Sequence, residues 1–295
     1  MKKLLLVLAA TVATAASAQT TVYGRMNATV DQTKTGSTTV NSMVNDLSHV
    51  GIRVTEDLGQ GLKARAVVET AIGSQDPTGS AATQLGDRQS TVGLAHNFGS
   101  VDVGRNVHSQ FLALSNNDAF GTLYGSVAGD VHNLRGLRLS NGAFVAVNPV
   151  KDVTATYDRT YTATGTEASA YSITGKFGPV TGTAARYEAG VEKSTVVGAS
   201  ASFGNTAVFY SHSDNESATA GETKKGNLIG VAQKVGAFTA KASYGETNTN
   251  VKAYNVGVDY AFSKRTSAGV AYRNVNAATA AADIKQVGVG LTHLF

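Results

Sequence analysis

The sequence predicts an all-β protein, a closed transmembrane antiparallel β-barrel of about 16 strands. Three observations predict this fold class. Apolar and polar residues alternate through the chain after residue 18, charged residues make up only 16% of the composition, and short turns alternate with longer polar connections. An ordinary soluble domain carries about 25% charged residues. The deficit therefore argues against a helical enzyme with a surface rich in ion pairs.

Residues 1–18 have the pattern of a secretory signal peptide. Lys2 and Lys3 precede the apolar run 4–10, and the segment ends with Ala16, Ser17 and Ala18, small residues of the kind that signal peptidase accepts. The apolar run is too short for a membrane anchor, which needs about 20 residues. We therefore predict export through the periplasm, with residues 19–295 forming a single barrel.

Alternation is clearest in 22–31, where Val22 and Val30 share one face of a strand and Arg25 and Asp31 share the other. A period of two is that of a strand with two unlike faces. The other clear segments are 49–55, 62–69, 171–177 and 255–262, and the weak ones are 89–95 and 181–187. An arginine facing lipid at mid-depth would cost about 2–4 kcal/mol. We therefore expect the polar face to line a wet lumen.

The lengths of the connections favour an outer-membrane barrel over a soluble sandwich. Long polar connections are predicted at 32–47, 73–87, 107–134, 213–224 and 276–283. Short turns are predicted at 57–61, 98–100, 148–150, 178–179, 204–205, 236–237 and 263–265. Outer-membrane barrels have short periplasmic turns and longer outer loops. A barrel of about 16 strands is also too wide for its own side chains to fill, so it keeps an aqueous channel.

Composition excludes several classes of function. The chain has no cysteine, which excludes disulfides, thiolate metal sites and a cysteine nucleophile. Its net charge of +4 falls to +2 without Lys2 and Lys3, and no basic tract indicates nucleic-acid binding. We expect no cofactor and no metal, because the histidines lack ligand spacing. His108, His132 and His212 are expected to be solvated loop residues.

Six stretches, taken in order along the chain, carry a family resemblance. They are Val22–Arg25, Val50–Ala64, Gly86–Leu94, Phe98–Arg105, Tyr260–Thr266 and Gly290–Phe295. In this order they resemble the Gram-negative general porins of the betaproteobacterial type. The resemblance implies a homotrimer of 16-stranded barrels in outer-membrane lipid and lipopolysaccharide. It also implies that the third outer loop folds into each lumen and narrows the pore.

In porins of this type, basic residues of the barrel wall face acidic residues of the third loop. Carried over position by position, Arg25 matches the basic residue of the first strand, and Arg88 matches the arginine that opens the fourth. Arg135 or Arg138 falls near the third arginine of the cluster. The resemblance therefore implies a pore constriction with these residues on its basic wall.

His49 is a departure, because the family has an arginine there and an imidazole is mostly neutral at about pH 7. Arg53 is a further candidate for the basic wall. Asp118 and Asp130 are the candidate acids of the third loop. Two alternatives stay open: the arginines could be ordinary solvated lumen residues, and Asp118 could accept hydrogen bonds from backbone amides of its own loop.

The function predicted from these features is passive diffusion of small hydrophilic solutes and ions, with mild anion preference and no enzymatic activity. The alternatives are a non-conducting structural barrel or a barrel enzyme. A lipid hydrolase would need a Ser/His pair at the lipid face, where His293 is the only histidine expected, and no serine has a nucleophile-elbow motif. Phe295, with the alternating Val287, Val289 and Leu291, resembles the signal read by the barrel-assembly machinery.

Overall fold

The computed structural model describes residues 18–73, 84–132, 137–162, 165–216 and 223–295. Arg135 and residues 1–17 of the predicted signal peptide lie outside this described part of the chain. The strands are β1 (Gln19–Thr35), β2 (Thr38–Val44), β3 (His49–Gly59), β4 (Leu62–Ala71), β5 (Gln89–His96), β6 (Gly99–Val107), β7 (Arg138–Val150), β8 (Val153–Thr160), β9 (Ala168–Phe177), β10 (Val180–Ala189), β11 (Glu192–Phe203), β12 (Thr206–Glu216), β13 (Thr223–Val235), β14 (Phe238–Thr247), β15 (Lys252–Ala261), β16 (Thr266–Asn276) and β17 (Ile284–Leu294).

The seventeen segments form a closed antiparallel barrel of 16 strands. β1 is long enough to pair along one edge with two segments, with β3 over residues 19–25 and with β2 over residues 29–35. β2 and β3 are therefore one barrel strand that is interrupted at 45–48. The other edge of β1 pairs with β17, which closes the barrel and leaves no open edge. The predicted fold class is confirmed.

The barrel wall is polar inside and apolar outside, the reverse of a soluble protein. Large apolar side chains such as Val30, Ile52 and Val289 are exposed on the outer face, whereas Asn27 and Asp31 are buried on the inner face. This arrangement suits a wall between lipid and a wet lumen. The outer aromatic side chains form two girdles, with tyrosines (157, 171, 210, 244, 254) towards the loops and phenylalanines (98, 177, 203, 238, 262) towards the short turns.

The predicted long loop at 32–47 is wrong. β1 continues to Thr35, turns at Gly36, whose φ is +57°, and returns as β2 to Val44. The polar residues of this hairpin hid its alternation, although threonine and valine favour strands. The real interruption is 45–48. The predicted turn at 148–150 is also displaced, because β7 reaches Val150 and the chain turns at 151–152.

The two weakly alternating segments, 89–95 and 181–187, are strands β5 and β10. In β10 the inward-facing Ala185 and Tyr187 are buried, because a helix inside the barrel covers that part of the wall. An inner face that is covered need not be polar, so the strand loses its contrast between faces. None of the helices in the described ranges is long and apolar enough to cross a membrane.

Candidate functional site

The connection between β6 and β7, described over 108–132 and called here the inserted loop, lies inside the barrel. Its helix α1 (Ser109–Asn116) packs against β8–β11, and its helix α2 (Ala128–His132) packs against β12–β15. Between the helices, the Tyr124 hydroxyl donates to Asp31 Oδ2 on β1 at 3.4 Å. The inserted loop therefore covers the inner wall from β8 round to β1.

Hydrogen bonds to the wall fix the inserted loop in position. Gln110 Nε2 donates to Ser194 Oγ at 2.9 Å, and Asn255 Nδ2 donates to the Gly125 carbonyl at 2.6 Å. His132 Nδ1 lies 2.8 Å from Ser213 Oγ, and its Nε2 lies 2.9 Å from Ser211 Oγ. The loop is thus attached to three separate strands of the wall.

Glycines on the inner wall make room for the inserted loop. A Cβ at Gly198 would lie 2.6 Å from the Asn117 side chain, and one at Gly226 would overlap the Val131 carbonyl. Glycines 245, 257 and 288 likewise lie against loop residues. Glycine within a strand marks a close approach of other atoms. These strand glycines form an inner seat for the loop, and the sequence alone did not single them out.

The basic wall, as we call the inner face that carries Arg25, His49, Arg53, Arg88 and Arg138, lies across the lumen from most of the inserted loop. The first three residues are on β1 and β3, Arg88 directly precedes β5, and Arg138 begins β7. The helices of the loop pack against β8–β15, so the basic wall remains open to the lumen. The passage therefore runs between the basic wall and the loop.

A row of three residues across three strands organises the basic wall. Tyr23 on β1 lies opposite Gly51 on β3, and Gly51 lies opposite Glu69 on β4. Gly51 has no side chain, so the Tyr23 ring lies across it and the Tyr23 hydroxyl donates to Glu69 Oε2 at 3.0 Å. Arg88 Nε donates to the other carboxylate oxygen, Oε1, at 2.6 Å. Glu69 therefore connects Tyr23 on β1 with Arg88 at the start of β5.

Arg25 takes its partner from the interruption between β2 and β3. Its Nη2 lies 3.0 Å from Asp46 Oδ2. Asp46 is held there because its amide donates to Asn27 Oδ1 at 3.1 Å, while the Asn27 amide donates to Ser48 Oγ at 2.8 Å. The interruption at 45–48 thus directs the Asp46 carboxylate towards Arg25, which a continuous strand would not do.

Arg53 and Arg138 keep uncompensated charge. The Arg53 guanidinium lies over the Tyr23 ring, 5.0 Å from its centroid, and Arg138 Nε donates to the Arg88 carbonyl at 2.7 Å. Among the described residues, neither arginine forms an ion pair with an acid. Two positive charges on the wall are therefore not neutralised by a direct partner within the described part of the chain.

The two candidate acids of the loop do not meet the basic wall. Asp118 is 4% exposed, and its carboxylate accepts from the amides of Phe120 and Thr122 at 3.2 and 2.8 Å and from Ser126 Oγ at 2.6 Å. This geometry matches the alternative in which Asp118 serves the backbone of its own loop. The implied contact between wall arginines and loop acids is not made by Asp118.

Asp130 forms an ion pair with Arg273, which is not part of the basic wall. Arg273 Nη2 on β16 lies 3.3 Å from Asp130 Oδ1, while Oδ2 is buried without a partner within the described chain. Burial raises the pKa of Asp130 above its usual range despite the nearby Arg273 and Lys224. Asp130 therefore helps to hold α2 on the wall and does not face Arg25 or Arg88.

The face of the loop that borders the passage is neutral. On α1 the buried residues pack on the wall, and Leu112, at 47% exposure, and Asn116 are exposed on the other side. Towards the short turns, a cavity of about 330 Å³ lies between the loop tip and the wall. There Lys241 lies over the Phe120 ring, 4.6 Å from its centroid, and pairs with Asp259 at 2.7 Å.

His108 and His132 are buried, so the prediction that they are solvated loop residues is wrong. His108 caps α1, with its ring nitrogen accepting from the Phe111 amide at 3.2 Å, and it stacks on Tyr187. Burial lowers the pKa of His132 to about 3. Both rings attach the inserted loop to the wall. His212 is on a strand and lies 2.9 Å from Asn227 Oδ1.

Sequence reasoning missed Asp46 and Glu69, the acids that pair with the basic wall. Glu69 was on the lumen-facing parity of its strand and could have been found from that signal, whereas Asp46 fell in a segment wrongly predicted as loop. Lys241 and Arg273, which lie beneath the inserted loop, were also missed. No group of three or more metal-ligating side chains occurs within the described ranges.

A closed 16-stranded barrel with an inserted loop and a charged lumen defines an outer-membrane diffusion channel. The chain belongs to the Gram-negative porin family, whose model matches residues 5–280. Members of this family are non-enzymatic channels of the outer membrane. No curated protein matches the sequence.

Solved structures share the fold at low sequence identity. An anion-selective porin from Comamonas acidovorans matches with a TM-score of 0.80 and 20% identity, over 95% of this chain and 100% of that one. OmpT of Vibrio cholerae lacking loop L8 matches with a TM-score of 0.75 and 13% identity, over 94% and 99%. OmpF of Salmonella typhi in complex with daunomycin matches with a TM-score of 0.73 and 14% identity, over 94% and 97%.

Proposed function

We propose that this porin passes small hydrophilic solutes and ions with a mild preference for anions. The observation that carries the proposal is the pair of arginines, Arg53 and Arg138, that have no acidic partner among the described residues and belong to the basic wall. The exposed residues of the loop across the passage, Leu112 and Asn116, are neutral. The structural relative from Comamonas acidovorans is described as anion-selective, which supports the same preference here.

The size of the preference follows from the charge of the basic wall. A unit charge about 4 Å from another gains about 1 kcal/mol in bulk water, which enriches the favoured ion about fivefold. At physiological salt this attraction is screened over about 8 Å. A few arginines therefore produce a preference that is moderate and weakens as salt rises.

Liposome swelling with solutes of matched size and opposite charge tests the proposal. We expect the anionic solute to enter faster than the cationic one, and the double variant Arg53→Ser/Arg138→Ser to reduce the difference. Arg159→Ser is the matched control, because Arg159 pairs with Glu167 near the outer rim. Equal entry of both solutes into wild-type liposomes would refute the anion preference.

We also propose that residues 1–18 act as a cleaved signal peptide and that three copies of the barrel associate. The family resemblance supports the trimer, and the Lys2, Lys3 and apolar pattern supports the signal peptide. The mass of the detergent-solubilised complex tests the trimer. The N-terminal residue of the mature protein tests the cleavage of the signal peptide. A one-chain complex, or an unprocessed N terminus, would contradict them.

Lipopolysaccharide is a proposed partner of the outer wall near the loops. Lys34 and Lys285 lie directly opposite each other on β1 and β17, on the face that carries Val30 and Val289. Like charges in this position are destabilising unless an anion joins them, and lipopolysaccharide supplies phosphate. Lys34→Ser/Lys285→Ser should retain less lipopolysaccharide on purification, and Lys151→Ser, at a short turn, should not. Equal retention by both variants would contradict the proposal.

The barrel-assembly machinery is a further proposed partner. The alternating apolar residues Val287, Val289, Leu291 and Phe295 of β17 and its extension support this proposal. The amide and carbonyl of Phe295 exchange hydrogen bonds with Gly24 at 3.1 and 3.0 Å, so the same segment closes the barrel. Phe295→Ala should lower the yield of assembled barrel in the outer membrane, and an unchanged yield would contradict the assignment.

A further inference from the structure

His49 is held in the passage in one defined orientation. Its Nδ1 lies 2.7 Å from the Leu47 carbonyl oxygen. A carbonyl can only accept, so the neutral ring carries its proton on Nδ1 and leaves Nε2 bare. That bare nitrogen lies 3.8 Å from Glu69 Oε2. In the neutral state, therefore, a nitrogen lone pair lies beside a carboxylate oxygen and no hydrogen bond joins them.

Protonation of Nε2 corrects this mismatch. The added proton places a positive charge 3.8 Å from Glu69 Oε2, so Coulomb attraction joins the two groups. The Nδ1–H bond to Leu47 is unaffected, since both ring nitrogens donate in the charged form. In the protonated ring, Nδ1 therefore lies beside the Leu47 carbonyl and Nε2 lies beside the Glu69 carboxylate.

The charged and titratable neighbours of His49 come from each adjoining element. On β1, Arg25 lies directly opposite and is paired with Asp46, and the Tyr23 ring lies edge-on with its centroid 6.2 Å from that of His49. On β4, Ala71 is the uncharged register partner and Glu69 is the charged contact. Glu69 is shared with Arg88, while Arg53 follows on the same strand as His49. The repelling Arg25 is neutralised, and the attracting Glu69 is in direct reach.

His49 is the histidine of this chain that borders the passage. The chain has six histidines, and all six are described. His108 and His132 are buried under the inserted loop, and His96 is at a short turn beside Phe98. The other two, 212 and 293, are on the outward-facing parity of their strands. His49 is therefore the histidine whose protonation would change the charge beside the passage.

We propose that His49 is a proton-binding residue that sets the ion selectivity of the channel. Four guanidinium groups and two carboxylates, Asp46 and Glu69, leave the basic wall with two net positive charges when His49 is neutral. Protonation makes three. Mild acid therefore increases the preference for anions. The inference rests on the proposed diffusion function, since it concerns the charge along that passage.

Reversal potentials in planar bilayers, measured under a salt gradient from about pH 8 to about pH 5, test the proposal. We expect the anion-to-cation permeability ratio of the wild type to rise on acidification by up to about fivefold, the effect of one unit charge at contact distance in water. His49→Gln should abolish the rise, and His49→Arg should hold the high ratio at every pH. His96→Gln is the matched control and should keep the rise.

Two further variants keep the test decisive. Glu69→Gln removes the neighbouring carboxylate but retains the histidine, so it should still show a rise. Asp130→Asn removes the loop carboxylate whose pKa is raised by burial, and it should leave the rise unchanged. The proposal is overturned if the wild type shows no rise or if His49→Gln keeps it. The direction of the shift tests His49, whereas the ratio at neutral pH tests the proposed anion preference, so the two can fail separately.

Discussion

At the scale of single residues, the basic wall depends on Gly51, which has no side chain. Gly51 leaves a gap between Tyr23 and Glu69, and the gap allows a hydrogen bond across three strands. Arg65 reaches Asp102 over Gly93 in the same way, with Nε donating to Oδ1 at 2.7 Å. A glycine in the middle strand thus allows polar side chains of the two flanking strands to meet.

Replacement of Arg88 with serine should shift selectivity towards cations. The substitution removes one positive charge and also leaves the Glu69 carboxylate without its 2.6 Å partner. The shift should reach about fivefold in the permeability ratio, because a unit charge at contact distance is worth about 1 kcal/mol in water. The measurement is the reversal potential at fixed pH, with Arg159→Ser as the control. An unchanged potential would show that Arg88 lies away from the ion path.

The positions of Arg25, Arg53 and Arg88 on the lumen side could be predicted from alternation and the cost of charge in lipid. Parity also marks Glu69 as lumen-facing, but which acid pairs with which arginine could not be predicted, because pairing depends on register between strands. Asp46 shows the difficulty most clearly: it lies where the chain leaves the ladder, and no periodicity marks such a break. The inward course of the loop was foreseen from resemblance, whereas the burial of Asp118 in its own turn was only one of two open readings.

At the scale of elements, the inserted loop is held by an inner seat of small residues and buried polar contacts. Two short helices could not stay folded in water by themselves, so packing on the wall stabilises them. Val127, which directly precedes α2, and Val131 of α2 are fully buried against Leu228 and Ala253 of the wall. Burial of this apolar patch holds α2 against the wall.

Gly226→Ala should loosen α2. Its Cβ would overlap the backbone carbonyl of Val131, which cannot move aside as a flexible side chain could, and such overpacking costs about 1–3 kcal/mol. Single-channel recordings should show larger or noisier conductance. Gly182→Ala is the matched control, because no atom lies within 4 Å of the Cβ it would add. Identical recordings for both variants would contradict the claim that the inner-wall glycines make room for the inserted loop.

Acid should also loosen α2 through His132. Its pKa is lowered by burial to about 3, against about 6.5 for a free histidine. Between these values the undocked ring binds a proton and the docked ring does not, so docking weakens as pH falls, by about 1.4 kcal/mol per pH unit. Above about pH 6.5 the undocked ring is neutral as well, so proton binding no longer opposes docking.

A single cysteine can report this undocking, because the chain has none of its own. Ala128 in α2 is 1% exposed, so Ala128→Cys should react slowly with a thiol reagent while α2 is docked. At about pH 4 it should react faster with His132 present than with His132→Gln beside it, since only the histidine carries the penalty. Equal rates at that pH would show that His132 does not control docking.

At the scale of the whole molecule, the low charge content has a structural cause. The outer wall faces lipid and has little tolerance for charge, so charged residues collect in the lumen and at the rims. Most lumen charges are paired within the wall, as Arg25 is with Asp46 and Arg65 with Asp102. The net charge of the chain therefore says little about selectivity. In the proposed function, selectivity depends on the few unpaired charges along the passage.

The central claim is that the basic wall makes this porin prefer anions, and the reversal potential of the wild-type channel at neutral pH tests it most directly. In a planar bilayer with a potassium chloride gradient, the account predicts a potential of the sign that reports chloride crossing faster than potassium. The preference should weaken when the salt on both sides is raised, since screening shortens the reach of the arginines. A potential of the opposite sign would contradict the account.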